Sequence, residues 1–269
     1  MKCGYADRVR VRAIWLTFLV LAGWAGAQSL RVAVATTLAD SGLFGVLAED
    51  FERSSGVGLT VIPAGSGQGL NMLARGDVDA AVIHAPGLEA EALAQGKAAD
   101  GGCFAYNHFV IAGPEADPAQ VGLASSIQEA FTRIASSQSL FVSRGDHSGT
   151  HEKELELWRK ASISPEGKWY LEVGAGAGAA LLLASERGAY LLIDQGTLAS
   201  VQVRPGIKIL YQAQEPIVLN RYRILLAGPV AETLAQYLAT PAAQQIISSF
   251  GGGGKFFPWQ GECGDLGDH

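Results

Sequence analysis

The chain has 269 residues, a formal net charge of −6 and 48% hydrophobic residues. An acidic protein of this kind repels polyanions, which argues against nucleic acid or an anionic membrane as its partner. If the ligand is an anion, its site must therefore be a local positive spot on an acidic body. The length is sufficient for two α/β lobes.

Residues 1–27 have the pattern of a secretory signal peptide. Four basic residues precede the apolar run 13–22, and small residues lead up to Ala27. The apolar run is too short to span a membrane comfortably, so we interpret it as a signal rather than a membrane anchor. We therefore expect cleavage after Ala27 and an exported, periplasmic protein.

Export also bears on the cysteines. Cleavage after Ala27 removes Cys3 and leaves Cys103 and Cys263. An extracytoplasmic compartment permits a disulfide between these two residues. The sequence leaves open whether they meet.

Strand and helix patterns alternate along the rest of the chain. The predicted strands lie at 30–35, 59–62, 80–84, 139–143, 169–173 and 189–193. The predicted helices lie at 43–53, 70–76, 89–95, 126–135, 150–160, 179–186, 231–238 and 241–250. Such alternation predicts an α/β fold with a mostly parallel sheet and helices on both faces. The tail from residue 251 onward is expected to be loop with a few aromatic side chains packed down.

Two segments far apart in the chain look alike. Tyr106–Pro114 and Asn220–Pro229 each contain an asparagine, an aromatic residue, an apolar strand and an Ala-Gly-Pro ending. They are either paired strands that cross between two lobes or unrelated strands with common endings. The first interpretation divides the mature chain into lobe I, residues 28–108 with 216–269, and lobe II, residues 109–215.

One local arrangement occurs repeatedly: a strand, then a loop of Gly, Ser and Thr, then the start of a helix. It is found at 36–37, 65–67, 144–150 and 174–178. Ligands of open α/β sheets bind at the carboxyl ends of strands. The starts of helices offer free backbone N–H groups, and the guanidinium of Arg144 adds a planar set of donors. We therefore expect the loops to converge on one small oxyanion.

These residues together resemble the periplasmic tungstate-binding proteins of ABC importers, which have the type II solute-binding fold. The resemblance extends over nearly the whole mature chain. It rests on Thr36–Gly42, Gly65–Gln68, Arg75–Asp77, His84–Pro86, Tyr106–Pro114, Ser143–His151, Trp169–Glu172 and Gly188–Tyr190. It implies two α/β lobes joined by two crossover strands. It also implies delivery of tungstate or molybdate to the membrane subunit of an ABC transporter, by a protein that we expect to be a monomer without a cofactor.

The resemblance further implies which residues hold the anion. The implied ligand-binding residues are Thr36, Thr37, Ser66, Arg144, Ser148, Gly149, Thr150 and Gly176. The chain departs from the family pattern at Leu38, where a further hydroxyl is expected, at His108 and His147, where Asp is expected, and at Ala177. These departures bear on the number of donors and on selectivity.

Phosphate- or sulfate-binding proteins of the same fold are an alternative. Phosphate keeps a proton near neutral pH and needs an acceptor carboxylate, whereas tungstate, molybdate and sulfate suit a site made only of donors. Asp146 is available as such an acceptor, but we favour for it the role of holding Arg144 or capping the helix. Tungstate and molybdate are nearly the same size, so the sequence does not separate them.

A zinc-dependent exported hydrolase that uses His147 and His151 is an alternative of another class. His147 precedes the predicted helix, so the four-residue spacing does not place both histidines on one helical face. The motif around Ser148 is not the G-x-S-x-G elbow of hydrolases. We therefore expect no catalytic residues and no protein-bound metal cation.

Overall fold

The structure is a computed structural model that describes residues 29–200 and 206–264. The expected signal peptide lies outside these ranges. The strands are β1 (Ser29–Ala35), β2 (Gly58–Ala64), β3 (Ala80–Ile83), β4 (Ala99–Pro114), β5 (Phe141–Ser143), β6 (Tyr170–Glu172), β7 (Leu191–Asp194), β8 (Ile207–Tyr211), β9 (Leu219–Leu226) and β10 (Phe257–Pro258). The helices are α1 (Thr36–Asp40), α2 (Leu43–Ser55), α3 (Ser66–Arg75), α4 (Pro86–Ala94), α5 (Ile127–Ser137), α6 (Gly149–Lys160), α7 (Ala177–Arg187), α8 (Gln195–Ser200), α9 (Glu232–Leu238) and α10 (Pro241–Ser249). In the described ranges, no helix combines the length and the apolar character needed to cross a membrane.

The strands form two lobes that share β4. In the first lobe the strand order is β10-β4-β9-β3-β1-β2, with β1 parallel to both β2 and β3. In the second lobe, the end of β4 pairs with β7 and β8, while β5 and β6 pair in parallel. The sheet is mixed rather than mostly parallel, because β9 runs antiparallel to both β3 and β4.

The two similar segments found in the sequence are neighbours in the structure. β4 and β9 are antiparallel, and Asn107 lies directly opposite Asn220. Phe109 and the residues after it leave this pairing and join β7 instead. The interpretation as paired strands that cross between the lobes is therefore confirmed, and the two asparagines lie side by side at the crossing.

Each lobe has its own hydrophobic core. In the first lobe, Phe44 and Phe51 of α2 pack against the sheet with Tyr222 of β9. In the second lobe, Phe131 of α5 and Trp158 of α6 pack edge to face, with ring centroids 4.4 Å apart. Fully burying side chains of this size contributes roughly 1.5–3 kcal/mol each. The cleft between the lobes is therefore lined by the loops that emerge from two separately packed bodies.

Helix boundaries follow the expected signals with one exception. Glycines end α2 and α3, at Gly56 with φ 72° and at Gly76 with φ 75°, as the left-handed conformation requires. Ser148 caps α6 through its hydroxyl, in the loop where the sequence predicts that a helix starts. The expected loop at Thr36 is instead the first turn of the short helix α1. Helix α8 and strand β8 are further elements that the sequence patterns did not predict.

The C-terminal tail is more ordered than expected. Phe256 is fully buried, and β10 pairs with β4. A disulfide joins Cys103 to Cys263, with a Cα–Cα distance of 5.3 Å. The sequence left open whether the two cysteines meet, and the structure shows that they do. The disulfide attaches the C-terminal tail to β4.

Candidate oxyanion site

The side chain of Arg144 links three of the four predicted loops. Its Nη2 donates to Thr36 Oγ1 at 2.9 Å, and its Nη1 donates to Thr150 Oγ1 at 3.4 Å. Its Nε donates to the carbonyl oxygen of Ala175 at 3.4 Å. The guanidinium is 2% exposed. The starts of α1, α6 and α7 therefore meet at one buried cation.

Glycines bring the remaining loop against the same point. A Cβ atom on Gly65 would lie 3.8 Å from the Cα atom of Ser148. A Cβ atom on Gly149 would lie 2.6 Å from the carbonyl oxygen of His84, a distance that backbone atoms do not tolerate. The end of β3 can therefore approach the start of α6 only because Gly149 lacks a side chain, whereas a side chain at Gly65 would make ordinary contact. All four predicted loops converge.

The helix starts at this point leave backbone donors uncapped. No side-chain hydrogen bond caps α1, α3 or α7 at its N-terminus. The first turn of each helix presents backbone N–H groups and the positive end of the helix dipole, and in α7 the N–H of Gly178 donates to the carboxylate of Asp40. An anion that lies among these turns can replace the missing caps. The donors of the site therefore gather at one point of an acidic chain, where Arg144 lies between the carboxylates of Asp146 and Asp40.

Five hydroxyl groups surround the meeting point, and each accepts a hydrogen bond from the protein. The acceptor–donor pairs are Thr36 Oγ1 with Arg144 Nη2, Thr150 Oγ1 with Arg144 Nη1, Ser66 Oγ with His84 N, Ser148 Oγ with His151 N, and Thr37 Oγ1 with Tyr222 Oη. A hydroxyl has one proton to donate and two lone pairs. Since each oxygen already accepts, each hydroxyl can still donate its own proton, and we expect these protons to turn toward a bound ligand.

The carboxylate of Asp146 belongs to the framework of the site. It forms an ion pair with Arg144, and its other oxygen accepts from the backbone N–H of Ser148 at 3.1 Å. Both oxygens are therefore engaged with the protein. The prediction that Asp146 holds Arg144 is confirmed, whereas the cap of α6 is Ser148 and Asp146 binds the backbone of that residue.

Gly176 lies at the start of α7, as expected, but a carboxylate that the sequence analysis missed lies beside it. The Oδ2 atom of Asp40 is 3.8 Å from the position of a Cβ atom on Gly176. The Asp40 carboxylate accepts a hydrogen bond from the backbone N–H of Gly178, and burial raises its pKa. The only sequence signal was an acidic residue near the end of the first loop, which is also typical of an ordinary turn.

A buried carboxyl group also supports the Arg144 loop from behind. Burial raises the pKa of Glu154 to about 7, against hydrogen bonds from Tyr170, Trp158 and the backbone of Arg144. Its Oε1 atom accepts from Tyr170 Oη at 2.7 Å and from Trp158 Nε1 at 3.2 Å. Because Glu154 is on α6 and hydrogen-bonds the backbone of Arg144, it ties the anion loop to the core of the second lobe.

The two histidines of the zinc hypothesis do not form a metal site. The backbone N–H of His147 donates to His151 Nδ1 at 3.1 Å, which uses one of the ring nitrogens. The side chain of His147 is 84% exposed, whereas that of His151 is buried. Within residues 29–200 and 206–264, no group of three or more His, Cys, Asp or Glu side chains is arranged to hold a metal ion.

Comparisons with known proteins agree with this architecture. A family model described as a PBP superfamily domain matches residues 22–242. The chain is 31% identical over 265 residues to the tungstate-binding protein TupA of Peptoclostridium acidaminophilum, a match that covers 90% of this chain and 92% of that protein.

Two solved structures are similar as well. The tungstate ABC transporter structure from Geobacter sulfurreducens has 37% identity and a TM-score of 0.74, and the match covers 82% of this chain and 98% of that one. The tungstate-binding protein TupA from Desulfovibrio alaskensis has 33% identity and a TM-score of 0.71, and that match covers 86% and 99% of the two chains. By the extent of these matches, the chain belongs to the PBP superfamily and, within it, to the family of these tungstate-binding solute-binding proteins.

Proposed function

We propose that this chain is an exported solute-binding protein that captures one tetrahedral oxyanion, tungstate or molybdate, between its lobes. It then delivers the anion to the membrane subunit of an ABC transporter. The named functions of the relatives support both parts of the proposal. The proposed ligand-binding residues are those of the four converging loops: Thr36, Thr37, Ser66, Arg144, Ser148, Gly149, Thr150 and Gly176.

The proposal rests on the direction of the hydrogen bonds at the five hydroxyls, which is the same in all of them. Each accepts from the protein and keeps its proton for the cleft. Together with the guanidinium of Arg144, they make a site rich in donors, with the carboxylate of Asp40 at its edge beside Gly176. Such a site favours a fully deprotonated anion. Hydrogen phosphate brings a proton that requires an acceptor, and the oxygens of Asp146 are already engaged.

The number of donors is consistent with tight binding. Hydrogen bonds to a charged group contribute roughly 1.5–3 kcal/mol each. Six or seven of them, reduced by several kcal/mol for association and closure, leave an affinity that is roughly submicromolar or better. An oxyanion without such donors would not leave water.

We propose the lobe boundaries given by the sequence, with residues 28–108 and 216–269 in lobe I and residues 109–215 in lobe II. The buried clusters support the boundary near residue 108, because the core of the first lobe includes Ala105 and Tyr222 while that of the second includes Phe109. Val218 packs in the second core, which favours a return to lobe I slightly later than residue 216. We also propose a monomer whose signal peptide is cut near Ala27. Mass spectrometry of the exported protein and size-exclusion chromatography test these two points.

A zinc-dependent hydrolase is not favoured. The relatives are named as binding and transport proteins. His151 Nδ1 accepts a hydrogen bond from the backbone of His147 and so is not free to bind a metal. We therefore assign no catalytic role to either histidine.

Titration calorimetry with tungstate, molybdate, sulfate and phosphate tests the proposal on the purified mature protein. We expect tungstate and molybdate to bind at roughly submicromolar concentration and phosphate much more weakly. Preference for phosphate, or heat only with zinc, would contradict the proposal. The same panel ranks sulfate, which is fully deprotonated but smaller.

A further inference from the structure

The hydroxyl of Thr37 differs from the other four in the partner from which it accepts. Those of Thr36, Thr150, Ser66 and Ser148 accept from guanidinium or backbone N–H groups, which can only donate. Thr37 Oγ1 accepts from the hydroxyl of Tyr222 at 3.2 Å. A tyrosine hydroxyl can donate or accept. Whether the Thr37 hydroxyl donates to a ligand or accepts from it therefore depends on the direction in which the Tyr222 proton points.

A continuous chain of buried side chains leads from Tyr222 across the two crossing strands. Asn220 Nδ2 donates to Tyr222 Oη at 2.9 Å and to Asn107 Oδ1 at 2.7 Å. Asn107 Nδ2 donates to Asp194 Oδ1 at 2.8 Å. All of these residues are at most 1% exposed, so water does not compete. We call the set Asp194, Asn107, Asn220, Tyr222 and Thr37 the hinge relay.

Asp194 sets the direction of every hydrogen bond in the hinge relay. Its Oδ1 atom also accepts from the backbone N–H of Thr197 at 3.0 Å, so this oxygen is an acceptor. Asn107 must then present its amide nitrogen to Asp194 and its oxygen to the next residue. Asn220 must in turn present its nitrogen to Asn107 and Tyr222.

The same ordering reaches the anion site. The oxygen of Tyr222 is occupied as an acceptor by Asn220 Nδ2, and its proton is directed to Thr37 Oγ1. Thr37 is thereby left to donate its own proton. An amide in the reversed orientation would draw the Tyr222 proton toward Asn220, and the lone pairs of Thr37 would face the ligand.

We propose that Asp194, although it does not face the cleft, is a positioning residue that makes Thr37 a donor to the bound oxyanion through Asn107, Asn220 and Tyr222. The inference rests on the proposed function of the site. It explains why a carboxylate from the second lobe is buried against Asn107 of β4, which in turn bonds Asn220 of β9. It also makes the relay part of the selectivity for fully deprotonated anions.

His84 provides an independent readout of the direction of the relay. Its Nδ1 atom lies 2.7 Å from Asn220 Oδ1, an acceptor in the proposed ordering, so the ring must carry its proton on Nδ1. Burial lowers the pKa of His84 to about 4, and the ring is therefore neutral at neutral pH. Its Nε2 atom then carries a lone pair and lies 3.5 Å from Thr37 Oγ1, so it can accept the Thr37 proton until an anion takes its place.

A double-mutant cycle with tungstate as the probe tests whether Tyr222 acts through Thr37. We expect Tyr222→Phe and Thr37→Val each to weaken binding about tenfold, and the double variant to bind no more weakly than Thr37→Val alone. If the affinity losses of the two single variants multiply in the double variant, the two residues act independently and the proposal is wrong. Tyr190→Phe is the matched control, because this buried tyrosine hydroxyl bonds Asp117 and Ala119 in the second lobe. It should bind tungstate as the wild type does.

Variants of Asp194 test the start of the relay. Asp194→Asn keeps an oxygen that accepts from Asn107 and should bind tungstate nearly as the wild type does, whereas Asp194→Ala should lose about tenfold in affinity. Equal losses in both variants would contradict an ordering role.

Nitrogen NMR of His84 in the unliganded wild type keeps the proposal testable even if Asp194→Ala does not fold. We expect the Nδ1–H tautomer, and the Nε2–H tautomer would overturn the proposal. A wild type that binds no oxyanion would refute the proposed function instead, so the two failures are distinguishable.

Discussion

The carboxylate of Asp40, in the first lobe, accepts a hydrogen bond from the backbone N–H of Gly178, in the second lobe. Asp40 thus occupies the uncapped start of α7 and lies near the guanidinium of Arg144, which also lowers its pKa against the effect of burial. The contact joins α1 to α7 directly. It ties together two bodies that otherwise have separate cores, and we expect it to stabilise the closed arrangement.

Asp40→Ala should weaken tungstate binding about fivefold, mainly through faster dissociation. The variant loses the hydrogen bond between Asp40 and α7, and this loss outweighs the screened repulsion between the Asp40 carboxylate and the anion, which the variant also removes. Stopped-flow measurement of dissociation checks this outcome. Asp77→Ala, at an exposed residue paired with Arg75, is the control. Tighter binding by Asp40→Ala would mean that Asp40 competes with the anion for α7 instead of closing the cleft.

Arg144→Ala should weaken tungstate binding by more than about tenfold, because it removes a charged donor and frees Asp146 to repel the anion. Arg144→Lys should recover only part of the loss, since an ammonium group cannot bridge Thr36, Thr150 and Ala175 at once. Calorimetry gives both values. Arg53→Ala changes an exposed arginine on α2 and should leave affinity unchanged. Wild-type affinity in Arg144→Ala would remove this residue from the site.

Gly149→Ala should lower both affinity and melting temperature. The added Cβ atom would meet the carbonyl oxygen and the imidazole ring of His84 at 2.6–2.8 Å, and neither can move without shifting β3 or breaking the bond to Asn220. Overpacking of this kind costs about 1–3 kcal/mol. Gly87→Ala, where an added Cβ atom has open space, is the matched control. Equal behaviour of the two variants in thermal denaturation would argue against close contact between β3 and α6.

Glu154 should make stability depend on pH. Burial raises the pKa of Glu154 from 4.5 to about 7, so the folded protein keeps a proton that the unfolded chain has lost. Its contribution to the free energy of unfolding should therefore fall as pH rises between these values, by an amount on the order of 3 kcal/mol.

The variant Glu154→Gln isolates this contribution, because glutamine stays neutral. In chemical denaturation, the wild type should gain stability relative to this variant when the pH is lowered from about 8 to about 5. Glu156→Gln, on the same helix and paired with Lys153, should follow the wild type. A parallel response of wild type and Glu154→Gln would show that Glu154 is ionised in the folded protein.

The disulfide should stabilise the chain substantially. It closes a loop of 160 residues and holds the tail where Arg221 Nη1 donates to the carbonyl oxygen of Gly264 at 2.6 Å. The double variant Cys103→Ser/Cys263→Ser should lose about 2–5 kcal/mol in free energy of unfolding. Thermal denaturation with and without reductant gives the comparison, and the double variant should not respond to reductant. A wild type that melts equally in both conditions would contradict the prediction.

The sequence by itself determined the fold class, the order of most strands and helices, and the four loops of the candidate site. These features have local causes: the alternation of apolar residues, glycines at helix ends and hydroxyls before helix starts lie within a few neighbouring residues. The role of Asp146 could also be predicted, because it lies two residues from Arg144. The similar segments around Asn107 and Asn220 suggested a pair of strands for the same kind of reason.

Only the tertiary structure decided which groups orient the donors. Thr37 and Tyr222 are 185 residues apart, and Asn107 and Asp194 are 87 apart, so no local pattern brings them together. The contact between Asp40 and Gly178 and the pairing of Cys103 with Cys263 have the same origin. These relationships arise when the crossing strands pair and the two lobes close, because hydrogen-bond direction depends on neighbours in space rather than on neighbours along the chain.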